Sequence, residues 1–104
     1  MSKNFASGHE ITPKIYAEVA ERLAERIRNR SFYSGVIGFT LQDIEYRLAA
    51  TLFIRRSKQC SERGIIEVIE RLIPVWWEFR TIEGGTELCN DFDFKELTSL
   101  IEQQ

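Results

Sequence analysis

From Asp43 to Arg55 the residues alternate without a break, and this run constrains the fold more than any other. Ile44, Tyr46, Leu48, Ala50, Leu52 and Ile54 form one apolar set; Asp43, Glu45, Arg47, Ala49, Thr51, Phe53 and Arg55 form a wetter one. Successive side chains of a strand point to opposite faces. The run therefore predicts a long antiparallel strand with one face in a core and the other against water. A sheet built on it must bury the apolar face under another layer, and the flanking segments supply candidates.

On the N-terminal side, Thr12-Pro13 marks a helix start, with Thr as N-cap and Pro in the first helical position. Ile15, Tyr16, Val19, Ala20, Leu23, Ala24 and Ile27 then recur at three- and four-residue spacing as one apolar stripe. Glu18 and Arg22 form an i,i+4 pair in the favourable order. Phe32 to Leu41 reads as a strand whose Gly35 and Gly38 signal a bulge or the close approach of another backbone. Gln42-Asp43 joins it to the alternating strand as a hairpin.

Beyond Arg55 the pattern is less decisive. Arg56 to Gly64 reads as a polar connector, and Ile65, Ile66, Ile69 and Leu72 fit a helical stripe ending at Pro74. A short helix over 64–73 is the expectation. Val75, Trp77, Phe79 and Thr81 then alternate with Trp76, Glu78, Arg80 and Ile82, which predicts a further strand. Glu83-Gly84-Gly85 makes a turn, and Thr86 to Asn90 returns as a short strand. Asp93 is placed to cap a last helix, with Glu96 reaching back and Phe92 and Leu97 as a hydrophobic staple.

The resulting order is α-β-β-(α)-β-β-α. It predicts an α+β two-layer sandwich: an antiparallel sheet of about four strands with the N- and C-terminal helices packed on one face. Residues 1–10 read as a flexible segment and 11–104 as a single domain, a common size for one core. The N-terminus lacks the apolar stretch of a secretory leader, and no run is long and apolar enough to span a membrane; the expected location is cytoplasmic. Cys60 and Cys89 lie far apart with no Cys-x-x-Cys pair, and are expected as buried or half-buried free thiols.

Catalytic candidates are sparse. The only histidine, His9, falls in the N-terminal segment, away from any rigid support a general base needs. No Gly-x-x-x-x-Gly-Lys or Gly-x-Gly-x-x-Gly motif is present to cradle phosphate. Asp91 and Asp93 have a spacing that could share a cation, but Asp93 already serves as a helix cap. Neither a metal nor a cofactor is expected, and the chain reads as non-enzymatic. A small-molecule site under the curved sheet, with Glu78 or Asp91 as its acid, is one alternative.

The charges are unevenly placed. Up to Arg63 there are eleven Lys/Arg against seven Asp/Glu; from Gly64 onward there are three against nine. Halves of opposite sign can attract within one fold or between two copies of it. Nucleic-acid binding through the basic segments Arg26–Arg30 and Arg55–Arg63 is a second alternative, disfavoured by the acidic C-terminal half.

Adjacent tryptophans give the leading reading. If Trp77 enters the core, Trp76 emerges on the opposite face with Glu78, Arg80 and Ile82. Were that strand beside the alternating one, Trp76, Phe53, Thr51, Ala49 and Ile82 would make a semi-apolar patch rimmed by Arg47, Arg55, Glu78 and Arg80. Aromatic anchors ringed by Arg and Glu are typical of interfaces. The expectation is a protein-interaction domain, most simply a homodimer, unless residues 64–72 fold over the patch and cover it.

Overall fold

The computed structural model describes residues 11–102. Six elements follow one another: α1 (Pro13–Arg26), β1 (Phe32–Leu41), β2 (Ile44–Ser61), β3 (Gly64–Glu83), β4 (Thr86–Asn90) and α2 (Phe94–Ile101). The strands form one antiparallel meander in the order β1-β2-β3-β4. The order is thus α-β-β-β-β-α, an α+β arrangement with a helix at each end. The expected flexible segment 1–10 and His9 lie outside the described residues.

The expected alternation over 44–54 holds. Tyr46, Leu48, Ala50, Leu52 and Ile54 are all buried, and Ile44 packs at the margin of the same cluster. Tyr33, Ile37 and Phe39 of β1 extend that face on one side, and Leu72 and Phe79 of β3 on the other. Ile15, Val19, Ala20, Leu23 and Ile27 cover it from the N-terminal side, as do Phe94, Leu97 and Ile101 of α2. Burying each such side chain is worth roughly 1.5–3 kcal/mol, so this shared cluster dominates the stability of the fold.

Aromatic rings tie the layers together. Phe39 stacks on Tyr46 at 5.4 Å, Phe79 on Phe92 at 4.6 Å, and Phe92 meets Tyr16 of α1 at 4.9 Å. The Tyr16 hydroxyl also accepts the Asp93 backbone N–H at 3.0 Å. That donor was expected to be met by Glu96 of α2, but α1 satisfies it instead. The Asp93 carboxylate caps as expected, accepting the Lys95 N–H at 3.0 Å. At the other helix, Thr12 occupies the N-cap and Pro13 follows it, but no side-chain cap bond forms. The Thr12 carbonyl instead accepts the N–H groups of Ile15 and Tyr16.

Residues 64–73 are strand, not the expected helix, and the expected polar connector belongs to the same hairpin. Glu62-Arg63 is a two-residue turn between the paired residues Ser61 and Gly64, and Gly64 takes φ +114°. The Ser61 hydroxyl accepts the Arg63 N–H and donates to the Gly64 carbonyl, fixing the turn. With the turn closed, the β-branched residues Ile65, Ile66, Val68 and Ile69 extend the β2–β3 ladder. A bulge between Ile69 and Leu72 breaks their alternation, which is why they fit a helical stripe; a second bulge follows the segment. Glu70 is left unopposed between Arg71 and Ile69, and Val75 between Trp76 and Pro74. Each extra residue changes which face the following side chains occupy.

Gly35 admits the Tyr33 side chain, not a bulge or another backbone; the β1–β2 register is unbroken. A Cβ at Gly35 would lie 2.7 Å from the Tyr33 hydroxyl oxygen and 3.0 Å from its ring carbon. Tyr33 is buried, and its hydroxyl accepts a hydrogen bond from Arg26 at 3.4 Å. We predict that Gly35→Ala destabilises by about 1–3 kcal/mol, the usual cost of overpacking. The penalty should shrink in a Tyr33→Phe background, where the closest atom is gone. Urea denaturation of the four-member cycle checks this; equal penalties in both backgrounds would contradict the steric account.

Candidate functional site

With both helices on one face, the opposite face of the sheet carries the predicted patch. The register places it row by row. Phe32 lies opposite Phe53, which lies opposite Ile73. Ser34, Thr51 and Trp76 make the next row, and Val36, Ala49 and Glu78 the one after. Gly38, Arg47, Arg80 and Cys89 follow, then Thr40, Glu45, Ile82 and Glu87. Arg55 sits beyond Phe53 with Arg71 as its partner, and the β2–β3 hairpin continues from there to Ser61 and Gly64.

Trp76, Phe53, Thr51, Ala49 and Ile82 are therefore brought together on one face with Arg47, Arg55, Glu78 and Arg80, as the strand-neighbour argument expects. Residues 64–72 do not cover them, because they continue the sheet. Trp76 is 51 % exposed and Phe53 49 %, whereas Ile82, Thr51 and Ala49 are half-buried by their neighbours. Phe32 and Phe53 pack ring against ring at 5.1 Å, and the Ser34 and Thr51 hydroxyls share a hydrogen bond at 2.9 Å.

Three apolar members were missed: Phe32, Val36 and Ile73, all exposed. The first two belong to β1, and its alternation with Tyr33, Ile37 and Phe39 inside already sends them outward. The hairpin register needed to place them beside Phe53 was available from the Gln42-Asp43 turn, both of whose residues adopt positive φ. Ile73 was hidden by the helical expectation for its segment.

The opposite end of the face is ionic. Arg80 bonds Glu87 and, at 2.8 Å, Glu78; Arg47 bonds Glu45 at 2.8 Å. The Glu87 hydrogen bond, reinforced by Glu78, raises the Arg80 pKa above its ordinary value, so the guanidinium stays charged. Exposed pairs like these contribute little to folding, roughly 0–1 kcal/mol each. Their consequence is a defined rim. The Cys89 thiol donates to Glu78 at 3.6 Å from this rim, and Cys60 lies on the β2–β3 hairpin. Both thiols are exposed, contrary to the expectation of burial: Cys89 lies on the open face, and Cys60 lies near the tip of the β2–β3 hairpin, beyond the reach of β1.

Trp77 turns to the helix side, where its ring meets Phe94 at a tilt, 5.0 Å between centroids, and its indole N–H donates to the Phe92 carbonyl at 3.1 Å. It remains 39 % exposed, and the expected neighbour Val75 is thrown outward by the bulge. The deep core position in this stretch belongs to Phe79.

The other expected sites do not converge. Arg26 is engaged by Tyr33 and by the Val36 carbonyl, and Arg28 by Glu25. Arg56 donates to the Arg30 carbonyl at 3.0 Å and to the Ile27 carbonyl, meeting orphan acceptors after α1. The basic segments Arg26–Arg30 and Arg55–Arg63 are thereby partly consumed within the fold. An open groove of about 640 Å³ between β3 and α2 is bordered by Arg71, Pro74, Trp77, Asp93, Lys95 and Glu102, but neither Glu78 nor Asp91 lines it. Among the described residues no group of three or more His, Cys, Asp or Glu is placed to hold a metal ion.

Edge pairing is obstructed on the long side of the sheet. β4 pairs only with Phe79–Glu83, leaving the earlier part of β3 as an edge. That edge carries Pro74, which has no N–H, and both bulges. Its Leu72 N–H is taken by the Glu102 carboxylate at 3.0 Å. On the other edge, Arg26 covers the Val36 carbonyl. Comparison with protein-family models, curated proteins and solved structures returned no match.

The two tryptophans should respond differently to substitution. Trp77→Phe removes a hydrogen bond to a partly buried carbonyl and should cost about 1–3 kcal/mol. Trp76→Phe should change monomer stability by less than about 0.5 kcal/mol, as for an exposed surface site. Denaturant titration at low protein concentration measures both; equal losses would contradict the assignment of faces.

Proposed function

We propose that this is a non-enzymatic, cytoplasmic interaction domain that self-associates through the open sheet face around Trp76. The observation that carries the reading is the contiguous exposed set Phe32, Val36, Phe53, Ile73 and Trp76 opposite both helices. Soluble monomers seldom leave an apolar patch larger than a few hundred Å² uncovered. Three strands over the ten residues of β1 present roughly 34 by 14 Å, using about 3.4 Å per residue and 4.8 Å per strand. With side-chain relief, that footprint is on the order of the 800 Å² each partner loses in a standard interface.

The composition supports the same conclusion. Aromatic side chains hold the centre, and Arg47, Arg55, Glu78 and Arg80 hold the rim. Flat faces of this kind pack against each other about 10 Å apart, as the two sheets of a sandwich do. The obstructed edges favour the face over strand addition as the route of association. No helix of the described chain is long and apolar enough to cross a membrane.

Sedimentation equilibrium tests the reading. The expected result is a mass approaching twice 12.2 kDa in the micromolar range. Phe53→Asp with Trp76→Asp should weaken association at least about tenfold, because two central aromatic anchors are lost. A wild-type mass that stays at 12.2 kDa throughout that range would overturn it.

A further inference from the structure

The open face has a charge polarity along its strands. Where the β2–β3 hairpin begins to extend past β1, Arg55 and Arg71 lie directly opposite each other, and neither makes an ion pair among the described residues. Like charges opposite one another in a ladder are destabilising unless something else compensates them. Arg71 reaches the edge of the sheet, where it also borders the groove beside α2. At the other end Glu45, Glu78 and Glu87 outnumber Arg47 and Arg80, leaving that end net acidic. The apolar rows lie between the two.

Two sheets packed face to face by a two-fold axis can be related in two ways. An axis along the strands brings like ends together, so Arg55 and Arg71 would meet the same two arginines of the second copy. An axis across the strands exchanges the ends. Taken about the row of Ala50 and Trp77, it carries position 55 of β2 over position 45 of the second copy. Arg55 and Arg71 then face the acidic end, and the two copies of Trp76 approach each other beside the axis. β1 packs over β1 and β3 over β3.

We propose that the second copy docks in this crossed sense, with Arg55 and Arg71 of each chain serving the Glu45, Glu78 and Glu87 end of the other. The inference rests on the self-association reading above and adds its geometry. About that axis the Phe32, Phe53 and Ile73 row lies over Gly38, Arg47 and Arg80 of the second copy, its rings against the arginine stems. The Trp76 row lies over the Ala49 row, and the charges select the orientation.

The test separates the two readings. In Arg55→Ala/Arg71→Ala the dimer dissociation constant should rise about tenfold, since the complementary rim charge is lost at both ends. An axis along the strands predicts the opposite sign, because the same change relieves a repulsion. Arg55→Glu/Arg71→Glu should dissociate further, and mixing it with Glu45→Arg/Glu87→Arg should restore a mixed dimer near wild-type affinity. Circular dichroism and melting of each variant establish that the fold is retained. A dissociation constant that falls or stays constant in the alanine variant overturns the crossed geometry while leaving self-association standing. So would an unchanged dimer that binds a labelled single-stranded oligonucleotide through Arg55 and Arg71. A wild-type protein that never dimerises removes the underlying reading instead.

Discussion

The β2–β3 ladder is the constraint on which the rest depends. These strands run for 18 and 20 residues, far longer than their neighbours; β1 and β4 pair along their opposite edges, and both helices pack on one face. Because a strand presents alternate residues to alternate faces, one long ladder creates two long surfaces at once. The apolar one is covered by α1 and α2, helped by the Tyr16–Phe92 contact that ties the two helix starts together. Covering the other would require a further layer. Among the described residues both helices lie on the same side of the sheet, so the face bearing Phe53 and Trp76 is left bare.

Bulges at Glu70 and Val75 shape what that face can do. They let β3 remain paired while its side chains change sides; across the bulge at Val75, Leu72 and Phe79 both reach the core although they lie seven positions apart. They also disrupt the free edge of β3, together with Pro74 and the Glu102 carboxylate. The protein thus obstructs the promiscuous route to association, backbone pairing, and leaves a route that depends on side chains. That distinction matters physically: edge pairing is nearly blind to sequence, whereas a face of aromatic rows between charged ends has an orientation as well as a position.

Much of this was legible where one period governed a segment. The 44–54 alternation specified its two faces, and the stripe from Ile15 to Ile27 specified the buried side of α1 except at Ala24, which is exposed. The Asp93 cap was readable because its geometry is local. The segment 64–73 was not, since Ile65, Ile66, Ile69 and Leu72 satisfy a helical period when a bulge separates the last two. Phe32, Val36 and Ile73 escaped for a related reason: their importance depends on cross-strand register, which links distant residues and leaves no short-range trace. The exposed position of Cys60 follows from the same misread hairpin. Trp76, Phe53, Thr51, Ala49 and Ile82 were readable, because each has a neighbour on the inner face that obliges it to point outward.

The central claim is that Trp76 is covered by a second copy of the chain. Its most direct measurement is the emission of Trp76 alone, in a Trp77→Phe background, followed from dilute solution through the micromolar range. The account predicts a shift to shorter wavelength and growing protection from acrylamide as concentration rises, in step with the sedimentation mass. An indole that stays fully quenchable, with a constant emission maximum across that range, would contradict it.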